Sequence, residues 1–167
     1  MEHPYAHMLQ PVRLGGLILK NRLTASCSVP YFLQGGEPYP TQPLITHIAN
    51  KARNGAAIVT VRGVSPRLGP KRVAAAGGAI LHMPSFNLYD PHAQNYLSQL
   101  ADAVHNYGSR ISMMLGCRIF EGYDVSAGLP PRPGQTAPSK ELTPEMLQEI
   151  ADSFAEQAVI LKRLGYD

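Results

Sequence analysis

The sequence predicts an α/β fold whose strands run parallel, and three observations carry that reading. Short apolar β-branched runs alternate with longer stretches of helical periodicity. Each helix returns to the next strand through one or two residues, at Gly55, Gly108-Ser109 and Gly165. Each strand reaches its helix only after a long excursion: Ser28 to Pro40, Arg62 to Tyr89 and Gly116 to Leu142.

The elements follow in order. Two apolar pieces around Gly15-Gly16 predict a two-residue hairpin. Arg22 to Cys27 then reads as the first buried strand. Thr41 caps a helix whose apolar face is Leu44, Ile45, Ile48, Ala49 and Ala52, and Gly55 stops it. Ala56 to Val61 is continuously apolar or β-branched, the pattern of a strand covered on both faces. Asp90-Pro91 starts a second helix with Tyr96, Leu97, Leu100, Ala101 and Val104 on its stripe, closed by Gly108. Arg110 to Leu115 is the third strand. Thr143-Pro144-Glu145 opens a third helix, whose stripe is Leu147, Ile150, Ala151, Phe154, Ala158 and Leu161.

All the loop elaboration lies beyond the carboxyl ends of the strands, where α/β folds bind ligands. Any site should therefore gather near Cys27, Val61 and Leu115. The first strand runs into "ASCSVPYFLQGG", with no G-x-G-x-x-G and no P-loop pattern, which argues against a dinucleotide-binding sheet. A (β/α) barrel suits the long loops and the hairpin ahead of the first strand, although such a barrel needs eight units and this chain supplies three.

Composition narrows the function classes. With 44% hydrophobic and 16% charged residues the chain is expected to be globular. A net charge of +3 and a basic cluster at Pro66 to Arg72 without interleaved aromatics give no reason to expect nucleic acid. No window carries the ~18 apolar residues of a membrane span. Two cysteines, Cys27 and Cys117, imply no disulfide framework and suit a cytoplasmic setting. The six histidines are scattered, so no metal is expected.

Several stretches, in order along the chain, resemble the Old Yellow Enzyme family of NADH:flavin oxidoreductases. They are "LQPVRLGGLILKNRL", "KARNGAAIVTV", "LADAVHNYGSRIS", "APS" at 137–139, "LTPEM" and the closing "LGYD". The resemblance implies that residues 1–167 are the amino-terminal portion of an FMN-binding barrel domain: a partial TIM (β/α)8 barrel of hairpin and three βα units, ending before strand four. It implies FMN at the barrel mouth, NAD(P)H as reductant and an enone-like activated alkene as substrate. By the same resemblance Ser26, Cys27 and Ser28 after strand one, Val61 after strand two and Met114 on strand three are the expected cofactor-binding positions, and Tyr31 a substrate-pocket aromatic.

The chain departs from the family's pattern at each strand end. Cys27 replaces a proline, with Ser28 keeping a hydroxyl able to donate to a flavin carbonyl. Arg62 stands where a small residue is usual, and is expected either to meet the flavin's pyrimidine side or a substrate anion, or to lie on the surface. Met114 stands in place of a glutamine, Cys117 in place of a histidine, and Arg118 follows; a thioether cannot make the glutamine's polar contact. The family's phosphate site and substrate-orienting His pair come from strands four and beyond, so this chain alone is expected to turn over negligibly. The alternative expectation is a non-catalytic partial barrel that self-associates or takes a complementing half-barrel, since an open sheet leaves unpaired edges.

Overall fold

A computed structural model describes residues 4–28, 30, 33, 36–64, 86–115 and 142–167. Across these the chain forms α1 (Ala6–Leu9), β1 (Val12–Leu14), β2 (Leu17–Leu19), β3 (Thr24–Ala25), α2 (Gln42–Arg53), β4 (Ile58–Val64), α3 (Pro91–His105), β5 (Arg110–Leu115) and α4 (Pro144–Arg163). β1 and β2 pair antiparallel, Leu14 opposite Leu17. Gly15 makes their turn with φ 56°, a left-handed conformation that costs glycine nothing because it lacks a Cβ.

The other three strands form one sheet in the order β3-β4-β5, with both pairings parallel as expected. β3 is only two residues long, shorter than the expected run from Arg22 to Cys27, because side chains bound it at both ends. Asn21 takes the Gly55 carbonyl at 2.8 Å and the Leu23 amide at 2.9 Å on one side. Beyond the other, Lys51 takes the Ser26 and Ser28 carbonyls. β4 begins at Ile58 rather than Ala56 and runs on to Val64.

The register of β4 against β5 places Val59 beside Ile111, Thr60 beside Ser112 and Arg62 beside Met114. Alternation then gives the sheet two different faces. Val59, Val61 and Ile111 point toward the helices and are fully buried. They pack with Leu44 and Ile48 of α2 and with Leu97, Leu100 and Val104 of α3. Phe86 and Leu88, which precede α3, complete this core. On the other face the Thr60 and Ser112 hydroxyls meet at 2.9 Å.

Each long helix is capped where the sequence places a cap. Thr41, Asp90 and Thr143 accept from the amides of Leu44, His92 and Met146, filling donors that the first turn leaves without partners. At the opposite ends Lys20 Nζ donates to the Ala52 carbonyl of α2 at 3.3 Å and to the Tyr107 carbonyl just past α3 at 2.7 Å. The loop before α2 is fastened to α3 by Tyr39, which stacks on Tyr96 with ring centroids 4.6 Å apart.

The third helix differs from expectation. The residues that α4 buries are Ser153, Gln157 and Leu161, while Leu147 is 50% exposed and Ala151 and Ala158 face solvent. The helix is rolled by what holds it. Glu156 accepts from the Tyr89 hydroxyl at 3.1 Å, next to α3. At 100° per residue the buried Ser153 and Gln157 lie within about 100° of Glu156, whereas Leu147, Ala151 and Ala158 lie about 140° or more away. On α2, similarly, Ala49 is half-buried rather than part of the buried stripe.

After α4 the chain turns back onto the sheet. The Asp167 amide donates to the Ile111 carbonyl at 3.0 Å, and its carboxylate accepts from the Ile111 amide at 3.0 Å. The same carboxylate meets His105 Nε2 at 2.8 Å and the Arg110 guanidinium at 2.9 Å. Tyr166 is buried, and burial pushes its phenol well above the usual range.

Candidate functional site

Parallel strands in register bring their carboxyl ends to one rim, and the expected cofactor positions lie along it. Ser26, Cys27 and Ser28 follow β3, whose Ala25 pairs with Val59 two residues below Val61. Met114 lies on β5, directly across from Arg62 of β4. The three strand ends are therefore neighbours. Their side chains, however, do not all turn the same way.

Val61 faces the helices and is fully buried in the core. Its side chain cannot line a ligand site, and only its backbone reaches the rim. Arg62, one residue on, takes the open face and is exposed, with no hydrogen-bond or ion-pair partner among the described residues. Met114 shares that face and is 38% exposed. Ser26 and Ser28 are exposed, and Cys27 is half-buried with a free thiol. Tyr31, Cys117 and Arg118 lie outside the described residues.

The turn after β3 has a support that sequence reading did not single out. Lys51, in the last turn of α2, donates to the Ser26 carbonyl at 3.0 Å and also to the Ser28 carbonyl. Partial burial lowers its pKa, and the charge of Cys27 opposes that shift. His47 lies one helical turn before Lys51. Its pKa is lowered by partial burial and by the Lys51 charge. A basic residue near a helix carboxyl end is ordinary, so nothing in the sequence marks Lys51 out.

The rim thus offers a hydroxyl at Ser28, a guanidinium at Arg62, a thioether at Met114, a thiol at Cys27 and the Lys51 ammonium bound to the Ser26 and Ser28 carbonyls. Among the described residues no group of three His, Cys, Asp or Glu side chains could hold a metal ion. None of the described helices is long and apolar enough to cross a membrane.

No family model matches the chain. A metal reductase of Desulforamulus reducens is 30% identical over 167 residues, a match covering 96% of this chain and 23% of the relative. Among solved structures, Old Yellow Enzyme from Pichia sp. AKU4542 superposes with a TM-score of 0.70 at 17% identity, over 96% of this chain and 44% of that one. In fold, this chain matches Old Yellow Enzyme. Histamine dehydrogenase from Rhizobium sp. 4-9 shares the same likeness, with a TM-score of 0.71 at 19% identity, over 98% of this chain and 23% of that one. The chain spans about a quarter of the length of the curated relatives it matches. The Old Yellow Enzyme resemblance read from the sequence therefore holds along nearly the whole chain.

Proposed function

We propose that this chain is the amino-terminal part of an FMN-dependent oxidoreductase of the Old Yellow Enzyme type, built as three βα units of a (β/α)8 barrel. The supporting observation is the parallel β3-β4-β5 sheet behind an antiparallel hairpin, superposing on Old Yellow Enzyme at a TM-score of 0.70. The names of the matched proteins, a reductase, a dehydrogenase and Old Yellow Enzyme, are all those of redox proteins.

The residues at the rim fit the part of a flavin that such a barrel mouth would face. Ser28 brings a donor for a ring carbonyl and Arg62 a cation for the electron-rich pyrimidine edge. Met114 supplies apolar contact where the family uses a glutamine. When bound, FMN supplies the hydride-carrying chemistry, drawing on NAD(P)H and delivering to an activated, enone-like alkene. The protein's share at this rim is to hold the turn at Ser26 to Ser28 and to place a positive charge at Arg62.

The visible spectrum of the purified chain tests the reading. A flavin band, present on isolation or after adding FMN, is the expected outcome. A colourless protein that cannot be reconstituted would count against a flavin site in these residues. Turnover by the chain alone is not expected, because the family's phosphate anchor and substrate-orienting histidines come from later strands.

A second reading is a non-catalytic partial barrel that associates with itself or with a complementing half-barrel. Two exposed apolar side chains of α4 favour it: Leu147 is 50% and Val159 51% exposed.

A further inference from the structure

The segments that lead into α2 and α3 meet at a cluster of three rings. Tyr39, two residues before the Thr41 cap, stacks on Tyr96 of α3 with centroids 4.6 Å apart and planes 20° from parallel. His92, in the first turn of α3, is set nearly perpendicular to both. Its centroid is 4.8 Å from that of Tyr39 at 88°, and 5.1 Å from that of Tyr96 at 72°. One backbone bond closes the same seam, from the Asn87 amide to the Pro38 carbonyl at 3.0 Å. Both tyrosines are half-buried and the imidazole is exposed, so protons from solvent reach it while the phenols are held in place.

We propose that this cluster is a pH-responsive clasp: a charged His92 draws the two segments together, and a neutral one lets them part more readily. Histidine changes charge between about pH 5 and 8. A cation within about 6 Å of a tyrosine centroid is attracted by the electron-rich ring, and both phenol rings lie within that reach. The titratable groups on the α2 side of the seam are Glu37 and Tyr39, and those on the α3 side are Asp90 and Tyr96. Neither 36–41 nor 86–99 carries a lysine or an arginine, so the carboxylates supply the charge beside the rings. A hydrogen bond with Glu37, and then burial, hold the Tyr39 phenol above its ordinary pKa, which keeps that ring neutral across the histidine range. The opposing influence is the positive end of α3, worth about half a unit charge. Asp90, whose carboxylate accepts from the His92 amide at 2.9 Å, sets a full negative charge at that end. The balance favours the imidazolium. A group that gains partners in its charged form adds stability that is present below its unfolded pKa and is lost as pH rises through the folded one. The clasp should therefore be firm in mild acid and slack above neutrality.

The joined segments come from the loops after β3 and β4, so the clasp sets how firmly two walls of the rim are tied. It needs no flavin and goes beyond the function proposed above. Amide hydrogen exchange reads it directly. Protection of the Asn87 amide, taken relative to the β4 amides, should be about two- to fivefold higher at about pH 5.5 than at about pH 8, the weight of one exposed cation–π contact. His92→Phe keeps a ring in the seam without a titratable nitrogen, and should make the relative protection independent of pH. Relative protection that stays flat or falls in acid in the unmutated chain would overturn the proposal, and that measurement needs no variant to fold. A rise in acid that survives in a folded His92→Phe chain would overturn it too. A flavin band with flat protection would sink the clasp alone, and an acid-firmed seam in a colourless protein would sink only the flavin reading.

Discussion

Asp167 gathers more polar contacts than any other side chain described above: the Ile111 amide, His105 and the Arg110 guanidinium. Partial burial raises its pKa, but the hydrogen bonds from His105 and Ile111 and the charges of His105 and Arg110 outweigh it, leaving the carboxyl below its ordinary value. A carboxyl whose folded pKa is depressed adds stability that is present above the unfolded value and is lost as pH falls through the folded one. Asp167→Ala should therefore cost roughly 1–2 kcal/mol at neutral pH, read from urea denaturation. The gap between variant and parent should close as the pH drops below about 3–4; a gap that persists in acid would refute the assignment. At this same scale the sequence was only partly legible. The run from Ala56 to Val61 is apolar or β-branched without alternation, so it could announce a strand but not which residues faced the helices. One step decides whether Val61 or Arg62 turns to the open face, and only the register against β5 settles that step.

Among the elements, α4 shows what patterning can and cannot say. Its cap at Thr143 and its glycine stop were readable, because both follow from backbone donors and acceptors that local residues must satisfy. Its buried face was not. The apolar stripe is wide, and contacts with Tyr89 and with the sheet choose which edge of it goes inward. The chosen edge carries Gln157, only 1% exposed, whose amide donates to the Ser153 carbonyl and hydroxyl at 3.1 Å while its oxygen finds no partner among the described residues. An unsatisfied buried acceptor is costly, and an apolar residue of similar volume removes that cost. Gln157→Leu should stabilise the chain by about 1 kcal/mol, seen as a higher denaturation midpoint at unchanged slope. A lower midpoint would show that the amide's two donations outweigh its orphan oxygen.

For the molecule as a whole, the order and direction of the strands were legible because short helix-to-strand returns and long strand-to-helix loops leave few topologies open. The two-residue extent of β3 was not, since it depends on Asn21 and Lys51 capturing backbone carbonyls from other parts of the fold. If the partial-barrel reading holds, the exposed apolar residues of α4 and the outer edge of β3 should draw copies together. Light scattering across a concentration series should then show mass rising above the 18.1 kDa of one chain. A monomer that persists at high concentration would dismiss that reading.

Lys20 has a consequence at this scale as well. Its single ammonium sits between the Ala52 and Tyr107 carbonyls, so the trailing ends of two neighbouring βα units share one counterion. Fraying of either end withdraws that counterion from the other. The two units should accordingly open as one cooperative block, and acetylation of Lys20, which erases the charge, would uncouple them.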